Sequence, residues 1–330
     1  MRSVTGVPPP PKGRFHRGVT ASFLAFHLLV GLVFVTGISW EWVLLALASY
    51  SVRMLAVSAG YHRYFSHRAY RTNRLFQFML AWVAQMSAQG GVLWWAAHHR
   101  HHHKHADSMD DVHSPARHGF WWAHVGWMLS RRYERTDYDA IKDFSRFPEL
   151  MWLNVNWWVP PLAGLVLAWS LGGLPAVVWA GIVPTVLLWH ATFSLNSLGH
   201  LFGKRRYLTA DTSRNSFLLA LLTCGEGWRN NHHRSQVTAN QGWFWWEWDP
   251  TFYALKFGSW LGVVRDLRVV RPEVKFSFRE YTPEERQQLV AESRFGKFEP
   301  KARVPTPEAQ RAIGEPAPRG DTGFGALAKR

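Results

Sequence analysis

The run GVTASFLAFHLLVGLVFVTGISWEWVLLALASYSV, residues 18–52, contains one Asp, Glu, Lys or Arg residue, Glu41. It is long enough for two transmembrane helices of about 17 residues, joined by a turn near residues 37–42. Residues 150–203 contain no Asp, Glu, Lys or Arg, and the GLPA sequence at 173–176 divides that stretch into two similar halves. The sequence therefore predicts four transmembrane helices in two hairpins, at about residues 19–37, 42–58, 152–171 and 175–195.

The segments around these spans define the remaining organisation. A Pro-rich leader covers residues 1–17, the membrane domain covers 18–272, and a tail covers 273–330. Within the tail, Thr282 followed three residues later by Glu285 predicts a capped surface helix. The rest of the tail is rich in Pro, Gly and charge, which predicts partial disorder. We predict an all-α integral membrane protein whose polar segments form a helical cap.

The distribution of basic residues indicates the orientation. Neither short hairpin turn contains Lys or Arg, whereas the N-terminal leader and the polar segments after the spans are rich in both. Because cytoplasmic flanks carry the Lys/Arg excess, both termini and the cap are predicted to be cytoplasmic. The net charge of +15 suits anionic lipid headgroups. No reader motif for nucleic acid accompanies it. The start of the chain lacks an apolar signal segment, which predicts no cleaved signal peptide.

The stretch from Leu75 to Leu93 is apolar but interrupted by Gln77, Gln85, Gln89 and a Gly pair. We predict that it lies at the membrane interface, or enters the membrane without crossing it. A single cysteine, Cys224, excludes an internal disulfide and a cluster held by four thiolates of this chain.

Histidines are concentrated in four separate segments. They are His62 with His67, then His98 to His105, then His200, and finally His232 with His233. On a helix, His99, His102 and His103 have the spacing i, i+3, i+4 and share a face, while His98, His101 and His105 lie on the opposite flank. His62 and His67 are about 140° apart on an ideal helix, so they can share a site only if the helix ends or bends there.

Eight well-spaced imidazoles exceed the four to six ligands of one ion, which indicates two metals or a dinuclear centre. Imidazole alone does not select among zinc, copper, iron and nickel. Two simpler interpretations remain: a solvated His-rich tract, and an Asn196–His200 pair that ties two helices together by hydrogen bonds.

The segments HRYFSH (62–67), HHRHHH (98–103), NSLGH (196–200) and EGWRNNHH (226–233), in this order and interleaved with two hydrophobic hairpins, resemble the integral-membrane acyl-CoA (stearoyl-CoA type) fatty acid desaturases. The resemblance covers about residues 18–270. DTSRNS (211–216) and QGWFWWEWDP (241–250) are similar to the bacterial branch, which implies a bacterial inner membrane protein with a cytoplasmic active site.

This resemblance implies a non-haem diiron enzyme that uses O₂ to insert a cis double bond into a long-chain fatty acyl thioester. The implied thioester is acyl-CoA, and the implied position is delta-9-like. Electrons would come from a separate ferredoxin or cytochrome with its reductase, since the chain supplies no haem or iron–sulfur cluster. The implied ligands are His62, His67, His99, His102, His103, His200, His232 and His233, with Asn196 reaching the metal through a water molecule.

One position departs from the family pattern His-x-x-His-His: Arg229 stands where the first histidine is expected. A guanidinium is protonated at any working pH and offers no lone pair, so Arg229 cannot be a ligand. Three consequences are open. The metal keeps a water or open position, another histidine such as His113 or His124 substitutes, or the site loads metal poorly.

Further residues are assigned supporting roles. Glu226 and Asp111 are predicted to orient ligating imidazoles. Contact with the headgroup of the acyl carrier is predicted for Arg63, Arg68, Lys104, Arg131 and Arg132. The tryptophans near the histidine segments suit either an acyl channel or an interfacial aromatic belt. The alternatives to a desaturase are a diiron lipid hydroxylase on the same scaffold and a homologue impaired by Arg229.

Overall fold

A computed structural model describes residues 14–293 as a mostly helical protein. Its helices are α1 (Arg17–Thr36), α2 (Trp40–Ser66), α3 (Arg74–Gln85), α4 (Val92–His105), α5 (Pro148–Val155), α6 (Val159–Leu201), α7 (Phe217–Leu222), α8 (Arg229–Arg234), α9 (Pro250–Trp260) and α10 (Pro283–Ser293). Shorter helical turns lie at Pro115–His118, Trp122–Gly126, Trp127–Leu129, Arg131–Tyr133, Lys142–Ser145, Pro272–Phe276 and Ser277–Glu280. One short antiparallel pair, β1 (Arg71–Thr72) with β2 (Val264–Arg265), is the exception to the all-helical prediction; Arg71 pairs with Arg265 and Thr72 with Val264.

Three helices, α1, α2 and α6, are long and apolar enough to cross a membrane, with mean hydropathies of 2.1, 1.6 and 1.9. The third contains 43 residues and is interrupted at Gly172 and Gly173. Gly173 has φ +60°, which glycine adopts without a Cβ penalty. A Cβ added to Gly181 would overlap Leu165 Cδ2, so the part after the interruption packs against the part before it. The interruption coincides with the GLPA sequence.

Two helix boundaries differ from the predicted spans. The helix α2 continues to Ser66 instead of ending near residue 58, and its last ten residues, Val57–Ser66, form a buried π-helical segment. The helix α6 begins at Val159 instead of near residue 152, because α5 ends at Val155 and a turn separates the two. Prolines in the first turn of α6 are compatible with this start, since the first amides of a helix have no intrahelical partner.

The apolar stretch at residues 75–93 is divided between two helices. The helix α3 ends at Gln85, and α4 begins at Val92 after a turn in which Gly90 has φ +87°. Gln85 Oε1 accepts a hydrogen bond from the Val92 amide, and Asn154 Oδ1 accepts from the Trp94 amide at 2.8 Å. These side chains satisfy the free amides at the start of α4 and fix its direction.

Apolar side chains are buried in the core beneath the histidines but exposed on α1. Buried apolar residues such as Tyr61, Phe65 and Leu93 join α2, α3 and α4 into one core beneath the histidines. On α1, Leu28 and Phe34 are 81% and 86% exposed. Such a large exposed apolar surface suits lipid rather than water.

At the other end of the described chain, Thr282 and Glu285 exchange amide-to-side-chain hydrogen bonds, which confirms the predicted helix cap. The part of the tail that was predicted to be disordered, and most of the leader, lie outside the described residues.

Candidate metal centre

The four histidine segments converge on the cap side of α2 and α6. Five of the predicted ligands form one group, called here the five-histidine cluster: His62, His67, His99, His103 and His232. Their ligand atoms all lie within 4.8 Å of one another. The Nε2 atom of His99 lies 3.0 Å from those of both His67 and His103. The Nε2 atom of His232 lies 3.0 Å from that of His103 and 3.1 Å from that of His62.

These distances match a coordination shell. Ligands about 2.1 Å from a central ion, a typical metal–imidazole bond, are separated by about 3.0 Å along the edge of an octahedron. Burial lowers the pKa of His99, His103 and His232 well below the ordinary value, so these rings are neutral at pH 7. Neutral rings whose Nε2 atoms converge in this way can present several lone pairs to one centre. The five-histidine cluster therefore fits one divalent ion.

Local backbone geometry creates this convergence. The π-helical end of α2 and the chain reversal after Ser66 bring the rings of His62 and His67 to 4.8 Å, so the helix bends and ends as their spacing required. On α4, His99 and His103 are one turn apart and point to the same cluster, whereas His102 points to a second one. His101 bonds instead to the Asp110 carbonyl at the outer flank.

The second group, called the three-histidine cluster, consists of His102, His200 and His233. Each ring has a carboxylate beside its Nδ1 atom. Asp111 lies 2.8 Å from His102, Asp107 lies 3.4 Å from His200, and Asp211 lies 2.6 Å from His233. Burial would raise the pKa of Asp211, but the attraction of His233 and its hydrogen bond outweigh this and hold that pKa well below its usual range. A carboxylate beside Nδ1 directs the Nε2 lone pair toward the centre of the cluster.

Arg229 points into this three-histidine cluster and is only 3% exposed. Its Nη2 lies 3.1 Å from His102 Nε2, and its Nε lies 3.4 Å from His200 Nε2. Within the described residues, His233 Nε2 is buried without a hydrogen-bond partner. An ion at the centre would need the same lone pairs that face the guanidinium. The three-histidine cluster therefore does not fit a second ion while Arg229 is in place.

The two predicted orienting carboxylates both lie beside histidines. Asp111 contacts His102, as described above, and Glu226 contacts His62 Nδ1. Glu226 also accepts hydrogen bonds from Ser58, from Arg63 Nε at 3.0 Å and from Gln241 Nε2 at 2.8 Å. Burial raises the pKa of Glu226, but His62 and Arg63 outweigh that effect and lower it far below its usual value. The group is therefore a carboxylate that only accepts hydrogen bonds.

Arg63 requires a correction. It was predicted to contact the acyl-carrier headgroup, but it is 1% exposed and its guanidinium bonds to Glu226 and to both oxygens of Asp249. A side chain paired in this way is not available at the surface. The other four predicted headgroup residues, Arg68, Lys104, Arg131 and Arg132, are exposed. Arg68 lies 3.3 Å from Asp143.

Of the two histidines suggested as substitutes, His113 lies beside the three-histidine cluster, with its ring 4.2 Å from that of His102. His124 does not reach either cluster. It bonds to Ser197 Oγ at 2.9 Å and to His190 Nδ1 at 3.0 Å, and His190 in turn contacts His27. This line of three histidines was not predicted from the sequence, although His27 lies inside the first hydrophobic run.

Other residues of the site were also missed. Asp107 and Asp211 hold histidines of the three-histidine cluster, and Asp249 holds Arg63. The available signal was their position, since Asp107 follows the six-histidine run directly and Asp211 opens the DTSRNS segment. An isolated Asp in a polar segment does not reveal which distant histidine it contacts.

An apolar cavity adjoins the five-histidine cluster. Its lining includes His62 and His99 of that cluster, together with Arg229 and with Asn196, the predicted water-mediated ligand. The Trp95 ring stacks on His99 with centroids 4.9 Å apart and also lines the cavity. A second apolar cavity, between α1 and the start of α6, shares Met128 and Phe193 with the first. Trp245 and Trp246 are instead exposed, as an interfacial position requires.

Comparisons with known proteins agree with this geometry. The family described as fatty acid desaturase matches residues 18–259. An sn-1 stearoyl-lipid 9-desaturase of Synechocystis is 35% identical over 250 residues, covering 75% of this chain and 78% of the relative. An sn-2 palmitoyl-lipid 9-desaturase of Nostoc is 34% identical, covering 64% and 75%. An acyl-CoA 5-desaturase of Anemone leveillei is 34% identical, covering 70% and 73%.

Proposed function

Because the chain belongs to the fatty acid desaturase family and is therefore an oxidoreductase, we propose that it inserts a cis double bond into a long-chain fatty acyl group. O₂ is the oxidant, and non-haem iron bound by the histidines is the cofactor. The acyl chain loses two hydrogens, two electrons and two protons arrive from outside, and O₂ leaves as two water molecules. The observation that carries the proposal is the apolar cavity that adjoins the five-histidine cluster.

The chain's own residues prepare this reaction. Trp95 and Phe193 line the cavity with apolar rings, which exclude water from the acyl chain and from the site. Met128 and Phe193 also line the neighbouring cavity between α1 and α6, so the two cavities together offer a path for an extended chain. Glu226 accepts a hydrogen bond from His62 Nδ1, which leaves the Nε2 lone pair for the metal. Iron bound by the five-histidine cluster would supply the activation of O₂.

The number of ions is a separate question from the reaction. The sequence resemblance implies two irons, and the five-histidine cluster fits one of them. The three-histidine cluster has three further imidazoles, but Arg229 faces two of their Nε2 atoms. The predicted two-iron form is therefore supported at one cluster and opposed at the other.

We also propose that the protein crosses the membrane four times, with the active site and both termini in the cytoplasm. Interruption of α6 at Gly172 and Gly173, and the packing of Leu165 on Gly181, support a second hairpin. Trp179 Nε1 donates to the Gly37 carbonyl in the turn between α1 and α2, which aligns the ends of the two hairpins. The excess of Lys and Arg on the histidine side supports the cytoplasmic orientation.

The substrate is proposed to be an acyl thioester such as acyl-CoA. Exposed basic residues on the cap, Arg68, Lys104, Arg131 and Arg132, provide charges for the phosphates of such a headgroup. The relatives include desaturases named for acyl lipids and for acyl-CoA, so an intact lipid is the competing substrate. Electrons come from a separate ferredoxin or cytochrome with its reductase.

Expression in a host that lacks its own desaturase tests the proposal. The expected result is a new unsaturated fatty acid, with its double bond located by mass spectrometry and its lipid or thioester carrier identified by class separation. A His99→Ala variant, expressed to the same level, is the inactive control. A hydroxylated fatty acid would indicate the alternative reaction on this scaffold. The absence of any new product from folded, iron-loaded protein supplied with reductant would contradict the proposal.

A further inference from the structure

We propose that the Arg229 guanidinium takes the place of a metal ion in the three-histidine cluster, so that each chain binds one ion, in the five-histidine cluster. The inference uses the iron-binding role of the histidines from the proposed function but does not depend on the product of the reaction. It concerns occupancy, which can be measured without turnover.

Arg229 and a metal ion would compete for the same histidine lone pairs. Asp111 lies 2.8 Å from His102 Nδ1, and a buried carboxylate can only accept, so His102 carries its proton on Nδ1. The Nε2 lone pair of His102 then faces Arg229 Nη2, which can only donate. His200 has the same arrangement, with Asp107 and Thr212 beside Nδ1 and Arg229 Nε beside Nε2. Two of the three lone pairs that a metal would need are therefore already hydrogen-bonded.

The charge of the Arg229 guanidinium compensates the carboxylates around the three-histidine cluster. Asp107, Asp111 and Asp211 surround the three-histidine cluster, each behind one imidazole. Such a shell of negative charge requires a cation at its centre, since buried charges are costly unless they are compensated. Arg229 supplies that cation, and none of the ion pairs within residues 14–293 joins it directly to a carboxylate. A divalent ion beside a retained guanidinium would place two cations in one buried site.

The surrounding structure holds the Arg229 side chain in place. It is the first residue of α8, and the following residues of that helix are fixed because Asn231 bonds to Asn215 and Glu247. Its side chain packs on the end of α6, where a Cβ added to Gly199 would lie 3.3 Å from Arg229 Cδ. Withdrawal of the guanidinium would leave the three carboxylates uncompensated. Within residues 14–293, the hydrogen-bond contacts of the Nε2 atoms in the five-histidine cluster are to one another and not to a guanidinium.

Metal content of the full-length protein tests the inference. The protein is purified in detergent, loaded anaerobically with excess Fe²⁺, separated from free metal by gel filtration, and analysed for iron per chain. We expect one iron per wild-type chain and two per Arg229→His chain. An Arg132→His variant adds an imidazole at an exposed position and should stay at one. Mössbauer spectra should show one ferrous environment in the wild type and two in Arg229→His.

Two further variants locate the ion. His103→Ala, in the five-histidine cluster, should reduce the iron content to near zero, whereas His233→Ala, in the three-histidine cluster, should leave it at one. Two irons in the wild-type chain, or loss of the single iron in His233→Ala, would overturn the inference. Each variant must elute as a monodisperse peak, and the wild-type ratio decides the matter if a variant does not fold.

The same preparations separate this inference from the proposed function. A new alkene in the deficient host together with one iron per chain supports both. An alkene with two irons per wild-type chain refutes the inference and leaves the desaturase function standing. One iron per wild-type chain and two per Arg229→His chain, with no alkene formed by either protein, supports the inference and refutes the function.

Discussion

Replacing Glu226 by Gln tests whether one buried carboxylate supports both the fold and the metal centre. Its two oxygens face only donors: Oε1 accepts from Ser58 and Arg63, and Oε2 contacts Gln241 and His62. An amide has one oxygen and one NH₂ group, so either orientation places NH₂ against two donors. The substitution therefore removes the negative charge beside the buried Arg63 guanidinium and, depending on the orientation of the amide, leaves either Arg63 Nε or His62 Nδ1 without its acceptor.

The magnitude follows from burial. Breaking a buried ion pair from one side costs about 3–5 kcal/mol. A chain of this size loses roughly 2–4 °C of melting temperature for each kcal/mol, so a decrease of about 6–20 °C is expected. The matched control is Glu149→Gln, which removes the Arg74–Glu149 pair, with N–O distances of 2.7 Å and the Arg74 side chain 65% exposed. An exposed pair contributes about 0.2–1 kcal/mol.

A second comparison separates stability from metal binding. Asp249→Asn removes the other carboxylate that pairs with Arg63. The hydrogen bonds of Asp249 go to Arg63 and to backbone amides such as that of Phe252, so this variant does not change the acceptor of His62. Glu226→Gln should weaken metal binding by about 10–100-fold, because loss of a partner that orients a ligand has that effect. Asp249→Asn should also lower the melting temperature, but it should change the iron affinity less than Glu226→Gln does.

The assays are thermal unfolding in detergent, followed by intrinsic tryptophan fluorescence, and competition for iron with a chelator of known affinity. A Glu226→Gln protein that melts within about 2 °C of Glu149→Gln would refute the assigned ion-pair network. Unchanged iron affinity in Glu226→Gln would refute its role in orienting His62.

Three further predictions follow from other parts of the structure. His103→Ala should lower metal affinity by at least about 10-fold in the same chelator assay. His101→Ala should leave the affinity unchanged, because the His101 ring contacts the Asp110 carbonyl and not the five-histidine cluster. Met128→Trp narrows the junction of the two apolar cavities and should shift the products toward shorter acyl chains, whereas Met109→Trp, at an exposed site, should not alter the product profile measured by gas chromatography. Burial and the neighbouring His190 lower the pKa of His124 to about 4, so between about pH 6.5 and pH 4 the unfolded chain binds a proton that the folded chain does not. The melting temperature of the wild type should therefore fall between pH 7 and pH 5. A His124→Gln variant whose melting temperature falls by the same amount would contradict this.

Local sequence patterns predicted the features that depend on neighbouring residues. Uncharged runs located α1, α2 and α6, and the GLPA sequence located the interruption of α6. The spacing placed His98, His101 and His105 on one flank of α4; the rings of His101 and His105 do lie together there, 4.5 Å apart, whereas His98 lines the cavity beside His99. Each of these inferences needs only helix periodicity or the cost of charge in lipid.

Assignments that depend on long-range contacts could not be made in the same way. The i, i+3, i+4 spacing places His99, His102 and His103 on one face, but only the positions of α2, α6 and α8 divide them between two clusters. Arg63 looked like a surface cation because Arg usually is one, and its burial depends on Asp249, 186 residues away. The helix boundary at Ser66 depends on a π-helical segment that has no clear sequence signature.

The sequence by itself determined that this is a helical membrane protein with four histidine segments and an arginine where a ligand histidine is expected. It could do so because hydrophobic runs and metal-binding residue types are local properties of the chain. Only the tertiary structure decided that five histidines form one cluster and three another, and that the Arg229 guanidinium faces the second. The physical reason is that coordination and hydrogen bonding depend on distances of about 3 Å between atoms of distant segments, and helix packing alone sets those distances.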